Sequence, residues 1–533
     1  MIIPLTPIRC LYRALDLYGW KEGVISGENR FTYQQFAERC ERLASGLLVQ
    51  GVKSGDRVAY LSFNNHQLLE GYFGVPLVKA ILMPLNVRLT PAELTGILHH
   101  AKPRILFFEQ DFAAYVAEFR KGCPSIARFV AIENGCLAGD LTYQEMLSTG
   151  RIERPDPFSF DENAIAELFY TSGSTGSPKG VMLSHRTLYL HALAVSGSLE
   201  QSDRFVFLHT IPLFHANGWG CPHTTTMSGA SHVMVRRFDP VEVFRLIQAE
   251  RATHMFVVPV MANAMLHCPE RGNYDLRSLR DMHIGGAAAS PELVARLEKE
   301  FRCNVKAGYG LTETCPVATF SRSKAGVEYA NEDSRQERLA MAGWPILGTE
   351  VRVAGTDDND VPRDGQTIGE VLIRGDNVMD GYYAEPDSTE AAIRDGWLHT
   401  GDMAVWDEHT FIHIVDRQKD IIISGGENIS SIEVERAIAA HPAVLECAVV
   451  AAPDPQWGEV PAAIVVRKPE QALTSEELLS FLEPRLARFK LPRIIQFFNT
   501  ALPKTGTGKI LKRELREPFW AGKERRVQGI YLQ

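Results

Sequence analysis

Tyr170-Thr-Ser-Gly-Ser-Thr-Gly-Ser-Pro-Lys-Gly180 is the stretch on which the reading of this chain turns. Three glycines and a run of hydroxyl side chains leave the backbone unobstructed and supply several donors. Such a loop can wrap phosphate oxygens with N–H groups and hydroxyls, while Lys179 adds a positive charge. It is not a Walker loop, because Pro178-Lys179 stands where Gly-Lys is required. A flexible Gly/Ser linker is the plain alternative, but linkers rarely contain Pro-Lys-Gly. Just before the loop, Ile165-Ala-Glu-Leu-Phe-Tyr170 reads as a strand, so the spacing predicts a strand that runs straight into a phosphate cradle.

Working outward, short apolar runs alternate with helical patterns over most of the length, which predicts parallel sheets covered by helices. Ser290-Pro291 opens a helix with serine as N-cap and proline at the first turn, followed by Leu293, Leu297 and Phe301 on one face. Val243, Leu246 and Ile247 form a shorter stripe after Pro240. A polar turn from Thr356 to Gly365 precedes an expected strand, Ile368 to Arg374. Near residue 417 the character changes. Ser430-Ser-Ile-Glu433 reads as a capping box for a helix through Val434 and Ile438. Strands at Ala448–Ala451 and Ala462–Val466 and a helix from Thr474 follow. Residues 1–417 and 418–533 are the expected domains, and the fold class is mixed α/β with a small α+β C-terminal unit.

The 533 residues are 45% hydrophobic and 23% charged, which is globular composition. No stretch approaches the roughly 20 apolar residues of a bilayer span. Nine cysteines without a Cys-x-x-Cys pair fit reduced thiols better than a disulfide framework or zinc site. A net charge of −9 gives no basic field for nucleic acid, so polyanionic ligands need local donors. Neither a secretory start nor a peroxisomal address at Tyr531-Leu532-Gln533 is apparent, and a cytoplasmic location is expected.

The 171–180 loop resembles the phosphate loop of the adenylate-forming superfamily, which includes acyl-CoA synthetases, peptide-synthetase adenylation domains and luciferases. Further segments resemble that family in its order. They are Pro212-Leu-Phe-His215 with Gly218-Trp219-Gly220, Gly285-Gly286-Ala287, Gly308-Tyr-Gly-Leu-Thr-Glu313, Trp397-Leu-His-Thr-Gly-Asp402, Asp416-Arg417-Gln-Lys419, Gly425-Gly-Glu-Asn-Ile429 and Pro503-Lys-Thr-Gly-Thr-Gly-Lys509. The resemblance implies a large N-terminal domain of layered αβ subdomains plus a small distorted β-barrel, and a mobile C-terminal domain.

The physical reading of these residues runs alongside. Tyr309, between two glycines, has an open ring face on which a purine can stack. Mg²⁺ takes hard oxygen ligands and usually one or two carboxylates, so Glu313 beside Thr312 suffices as its protein ligand. Lys509, a compact ammonium on a Gly/Thr loop, suits the charge that builds on an α-phosphate under attack. His215 alone would read as a packed core histidine.

The resemblance implies that Thr171, Ser172, Gly173, Ser174, Thr175, Gly176 and Lys179 hold phosphates. It places Gly286, Ala287, Ala288, Gly308, Tyr309, Gly310 and Ile414 on the nucleotide, with Asp402 and Arg417 on its ribose. His215 gates an acyl pocket built with Trp219, Gly220, Val260, Gly285, Gly286, Gly310 and Leu311. Gly425, Gly426 and Glu427 face the coenzyme A thiol, and Lys419 is the hinge. Lys509, Glu313, Thr312, His215 and Lys179 form the implied catalytic set.

The implied reaction is ATP-dependent: carboxylic acid, ATP and CoA give acyl-CoA, AMP and pyrophosphate through an acyl-adenylate. Apolar pocket positions and the bulk of Trp219 point to a short- to medium-chain, branched or cyclic aliphatic acid. Aryl or long-chain acids, transfer to a separate carrier protein, and a nucleotide-binding module without catalysis are the alternatives. A homodimer is compatible with the resemblance. With no Gly-x-Ser-x-Gly elbow, a covalent acyl-enzyme is disfavoured.

Overall fold

Local hydrogen-bonding chemistry sets the helix ends where the sequence predicts them. Ser290 Oγ accepts the Leu293 N–H at 3.2 Å, and Pro291–Phe301 buries Leu293, Val294, Leu297 and Phe301 on one face. Asp239 caps Pro240–Glu250, which buries Val243, Phe244, Leu246 and Ile247. This computed structural model describes residues 2–171, 178–417, 420–424, 427–469, 471–504 and 510–521.

The chain divides into two units, one of residues 1–350 and 373–398, the other of residues 351–372 and 399–533. The first holds two large sheets. In the nine-stranded sheet the order is Trp344–Pro345, Val317–Phe320, Asn304–Gly310, Asp281–Ile284, His254–Val257, Val206–His209, Ser231–Met234, Glu22–Ser26, Asn29–Thr32. From Asn304–Gly310 to Glu22–Ser26 all neighbours are parallel. Helices pack on it around a core that includes Phe244, Phe256 and Leu297.

The eight-stranded sheet is parallel from Ile165–Thr171 through Ile81–Pro84, Arg57–Leu61, Ile105–Phe108 and Arg128–Ala131 to Leu141–Thr142. At its other edge Lys179–Ser184 folds back antiparallel on Ile165–Thr171, with Thr171 opposite Lys179. Gly381–Tyr382 then adds to Lys179–Ser184. The expected strand-into-loop arrangement is therefore a hairpin whose arms flank the glycine-rich segment.

The second unit takes up most of a five-stranded sheet ordered Thr349–Ala354, Gly369–Gly375, Trp397–Trp406, Ile393–Arg394, with Ile412–Arg417 also paired to Trp397–Trp406; the last two pairings are antiparallel, and the sheet curls as a half-barrel. Its C-terminal part is α+β. Long strands Val444–Asp454 and Gly458–Arg467 pair antiparallel, Ile494–Phe498 joins in parallel, and helices Ser431–Ala439, Ser475–Leu482 and Lys512–Trp520 accompany them. Residue 417, the expected boundary, falls inside this unit.

One local expectation is corrected. Ser430 caps the helix by accepting from Glu433 N at 3.1 Å, but Glu433 does not reach back to complete the box. Its carboxylate is taken by Lys490 at 2.7 Å, a partner 57 residues away. The reciprocal box forms instead at Thr474 and Glu477.

Candidate active site

In parallel α/β sheets the loops beyond the carboxyl ends of the strands carry ligands, because strand ends and helix N-termini converge there. In the nine-stranded sheet four adjacent strands end in predicted site residues. Val206–His209 leads to His215 and Trp219, His254–Val257 to Val260, and Asp281–Ile284 to Gly285–Ala288. Asn304–Gly310 ends in Gly308–Gly310 and continues to Glu313. Segments scattered over a hundred residues of sequence thus share one sheet edge.

The segment with His215 and Trp219 has an unusual backbone. Ala216, Asn217, Gly218, Trp219 and Gly220 have φ of 46°, 54°, 50°, 59° and 77°, a left-handed turn that side chains resist. Packing and hydrogen bonds hold its approach. Asn64 Nδ2 donates to His209 O and Ile211 O at 3.0 Å each, and Asn64 Oδ1 accepts from Leu213 N at 2.7 Å. Tyr72 donates its hydroxyl to Leu213 O at 2.5 Å.

The turn lays the Trp219 indole against two glycines. A Cβ at residue 285 would stand 2.9 Å from Trp219 Cη2, and one at residue 286 would be 3.3 Å from Cζ2. The indole also leans on Phe256, with ring centroids 5.4 Å apart. Gly310 has a similar requirement, since a Cβ there would lie 1.8 Å from the Pro316 carbonyl oxygen. Gly286, Ala287 and Ala288 are exposed, Tyr309 and Leu311 are half-buried, and Val260 is 57% exposed.

Glu313 sits on the short turn Thr312–Thr314, with Thr312 buried and the glutamate half-buried. A segment not singled out from sequence braces it. Met379 N donates to Glu313 O at 2.8 Å, and Asn377 Nδ2 donates to Thr314 O at 3.1 Å. Tyr382 donates its hydroxyl to Glu313 Oε1 at 2.9 Å. Burial and the adjacent Glu313 carboxylate push this phenol well above its ordinary range, so it stays protonated and a donor. On the same tyrosine, the Lys179 ammonium lies 4.8 Å from the ring centroid. A tyrosine after a glycine in an edge strand has no local signature; only its spatial neighbours mark it.

Three further expected residues lie in the second unit. Asp402 is buried, and its Oδ1 pairs with Arg417 Nε at 2.8 Å. The register of Trp397–Trp406 with Ile412–Arg417 puts residue 402 opposite 417 and Ala404 opposite Ile414. Thr400 Oγ1 accepts from Asp402 N at 3.1 Å, and Glu370 Oε1 accepts from Gly401 N at 2.9 Å.

Beside Arg417, Asp416 Oδ2 accepts both the N–H and the hydroxyl of Ser431 at 2.6 Å. Lys512 Nζ donates to Ser431 Oγ at 2.5 Å and pairs with Glu435 at 2.8 Å. Burial pushes the Glu435 carboxyl up. It opposes the charge on Lys512 as well, but Glu435 and Asp416 hold that ammonium above its ordinary range. Ser172, Gly173, Ser174, Thr175, Gly176, Lys419, Gly425, Gly426, Lys509 and the Glu427 side chain lie outside the described residues.

The hairpin that flanks the glycine-rich segment, the left-handed turn at 216–220 and the hydrogen-bonded Glu313 carboxylate all belong to the unit that holds the two large sheets, an α/β arrangement of the kind that carries ligands at its strand ends. Residues 13–383 match the family described as AMP-binding enzyme, and 433–509 match the AMP-binding enzyme C-terminal domain. The long-chain-fatty-acid–CoA ligase of Thermus thermophilus is 40% identical over 517 residues, covering 96% of this chain and 94% of that one. The peroxisomal butyrate–CoA ligase of Arabidopsis thaliana is 35% identical over 538 residues, with 97% and 93% covered. The anthranilate CoA ligase AuaEII, solved with anthranoyl-AMP, superposes with a TM-score of 0.88 at 25% identity, covering 97% of this chain and 98% of that one. The chain belongs to the AMP-binding, adenylate-forming superfamily, in its acyl-CoA ligase branch.

Proposed function

We propose that this chain, an AMP-forming acid–CoA ligase, acts on short- to medium-chain, branched or cyclic aliphatic acids. The observation that carries the substrate reading is the Trp219 indole laid against Gly285 and Gly286. We read that wall as the floor that limits chain length, and among Trp219, Gly220, Val260, Gly285, Gly286, Gly310 and Leu311 there is no Asp, Glu, Lys or Arg.

ATP and CoA are the co-substrates. A carboxylate oxygen of the acid attacks the α-phosphorus of ATP. The bond to the β-phosphate oxygen breaks, and pyrophosphate leaves. The CoA sulfur then attacks the acyl carbonyl carbon, the bond to the AMP oxygen breaks, and the thiol proton passes to solvent. No protein nucleophile is needed. The chain's task is to align two anions and screen their repulsion.

In this reading the Thr171–Lys179 loop holds the phosphates and Lys509 meets the charge growing on the α-phosphate. Thr312 and Glu313 sit at the same phosphates, and Tyr309, Gly308 and Gly286–Ala288 take the adenine. Asp402 and Arg417 bind the ribose. Glu313 fits Mg²⁺, because one carboxylate oxygen is held by Tyr382 and the other makes no hydrogen bond to a described residue. Mg²⁺ held there would neutralise phosphate charge. His215 gates the acyl pocket. Residues 418–533 rotate about Lys419 between the steps, so that Lys509 withdraws and Gly425, Gly426 and Glu427 line the thiol path.

The test is a panel of free acids of graded length, with aryl and cyclic members, assayed with ATP and CoA for acyl-CoA by mass. Octanoate or hexanoate should exceed palmitate in kcat/KM. Palmitate turned over far faster than either would overturn the depth argument.

A further inference from the structure

We propose that Tyr382 is a positioning residue of the nucleotide site, its hydroxyl aiming the Glu313 carboxylate and its ring seating the Lys179 ammonium. It thereby sets the carboxylate end and the cationic end of the phosphate-binding surface together. The proposal rests on the assignment of Glu313 and Lys179 made above and deepens it.

The geometry is over-determined in a way a packed tyrosine does not require. Gly381–Tyr382 pairs with the strand leaving the glycine-rich loop, Tyr382 opposite Val181 and Gly381 opposite Met182. That register delivers the ring to Lys179, 4.8 Å from its centroid. The same strand receives the turn that carries Glu313. Met379 N holds the Glu313 carbonyl oxygen at 2.8 Å, and the Tyr382 hydroxyl holds Oε1 at 2.9 Å. Thr389 Oγ1 in turn accepts the Tyr382 N–H at 2.9 Å, which fixes the tyrosine backbone.

The chemistry follows from this arrangement. A carboxylate that ligates a hard cation through one oxygen needs its other oxygen held, or it rotates and spreads its charge over many orientations. A lysine side chain has several rotatable bonds even where a strand fixes its backbone, and an aromatic face removes part of that freedom without neutralising the charge. Tyr382 does both from one backbone position. Phosphates bound beside them therefore meet a carboxylate and an ammonium already in place.

The test uses the full-length protein and a readout independent of turnover: calorimetric ATP affinity with and without Mg²⁺. Tyr382→Phe keeps the ring and loses the donor. Its metal-free affinity should stay near wild type. The enhancement that Mg²⁺ gives should fall roughly tenfold, in line with one hydrogen bond to a charged group. Tyr382→Leu removes the ring as well and should lower metal-free affinity by a further factor of about five. In Lys179→Met that extra loss should vanish, because the ring then has no cation to hold.

Glu313→Gln separates the two levels of the argument. If it abolishes the Mg²⁺ enhancement while Tyr382→Phe leaves it intact, the positioning role is wrong and the assignment of Glu313 stands. If neither variant alters the enhancement, the assignment itself fails. If Tyr382→Leu does not fold, Tyr382→Phe alone decides the hydroxyl's part. Tyr382→Met, which fills the space without an aromatic face, then takes its place for the ring's part. A metal-free affinity below that of Tyr382→Phe supports the ring's role, and one equal to it overturns that role.

Discussion

Trp219→Gly opens the proposed acyl pocket without breaking its backbone. Residue 219 sits at φ 59°, a region glycine adopts freely and alanine does not, so glycine removes the indole and relieves strain at once. A tryptophan side chain buries roughly 150–250 Å². At about 25 cal/mol per Å², the vacated wall offers a longer acid on the order of 4–6 kcal/mol of apolar burial. Four extra methylenes at about 0.8 kcal/mol each recover roughly 3 kcal/mol, or about 10²-fold in relative kcat/KM. The assay is pyrophosphate release with straight-chain acids from butyrate to palmitate, with melting followed in parallel. The ratio of dodecanoate to octanoate should rise about 10²-fold, and the optimum should move to longer chains. A folded variant whose length profile keeps its shape, merely scaled down, would refute the claim that the indole against Gly285 and Gly286 floors the pocket.

Three further outcomes follow from the structure and the assignments. Lys509→Ala should lower adenylate formation by roughly 10²–10³, the usual cost of deleting a preorganised transition-state charge. Thioester formation from pre-made acyl-adenylate should suffer much less, and equal losses in the two half-reactions would contradict the two-state scheme. Burial holds His191, His209, His223 and His283 at about 3, against roughly 6.5 when unfolded. These depressed values add stability that is complete above the unfolded pKa and is lost as pH falls toward 3. Each costs about 1.4 kcal/mol per pH unit once the unfolded imidazole is charged; His66, His185 and His232, also held low by burial, add to them, while Glu70, Glu167 and Glu435, pushed up by burial, act in the opposite sense. Calorimetry between pH 6.5 and 5 should find a falling Tm with net proton uptake on unfolding; a flat profile would remove the idea. Lys512→Met leaves Glu435 buried without its cation, and urea unfolding should register a loss of about 3 kcal/mol. Adding Glu435→Leu should restore most of it.

What the sequence determined by itself was local chemistry and chain order. Ser290 and Thr474 cap their helices because a side chain needs to reach only three residues along to find an unpaired N–H. Strand-then-glycine-loop at 165–180 was legible for the same reason, as were the apolar stripes after Pro240 and Pro291. Their period needs no knowledge of the rest of the chain. The family resemblance added roles to residues such as Glu313 and Trp219 but no geometry.

Only the tertiary structure decided which side chains meet. Glu433 could have closed its own capping box, yet Lys490 takes its carboxylate from 57 positions away. Tyr382 reaches Glu313 across 69 residues of sequence, and Trp219 lies on Gly285 through a left-handed turn that no local preference encodes. Strand register alone sets Asp402 opposite Arg417. The physical reason is common to all four. A local hydrogen bond is fixed by backbone geometry over one turn, whereas a long-range contact exists only once sheets have closed and side chains compete for space and partners.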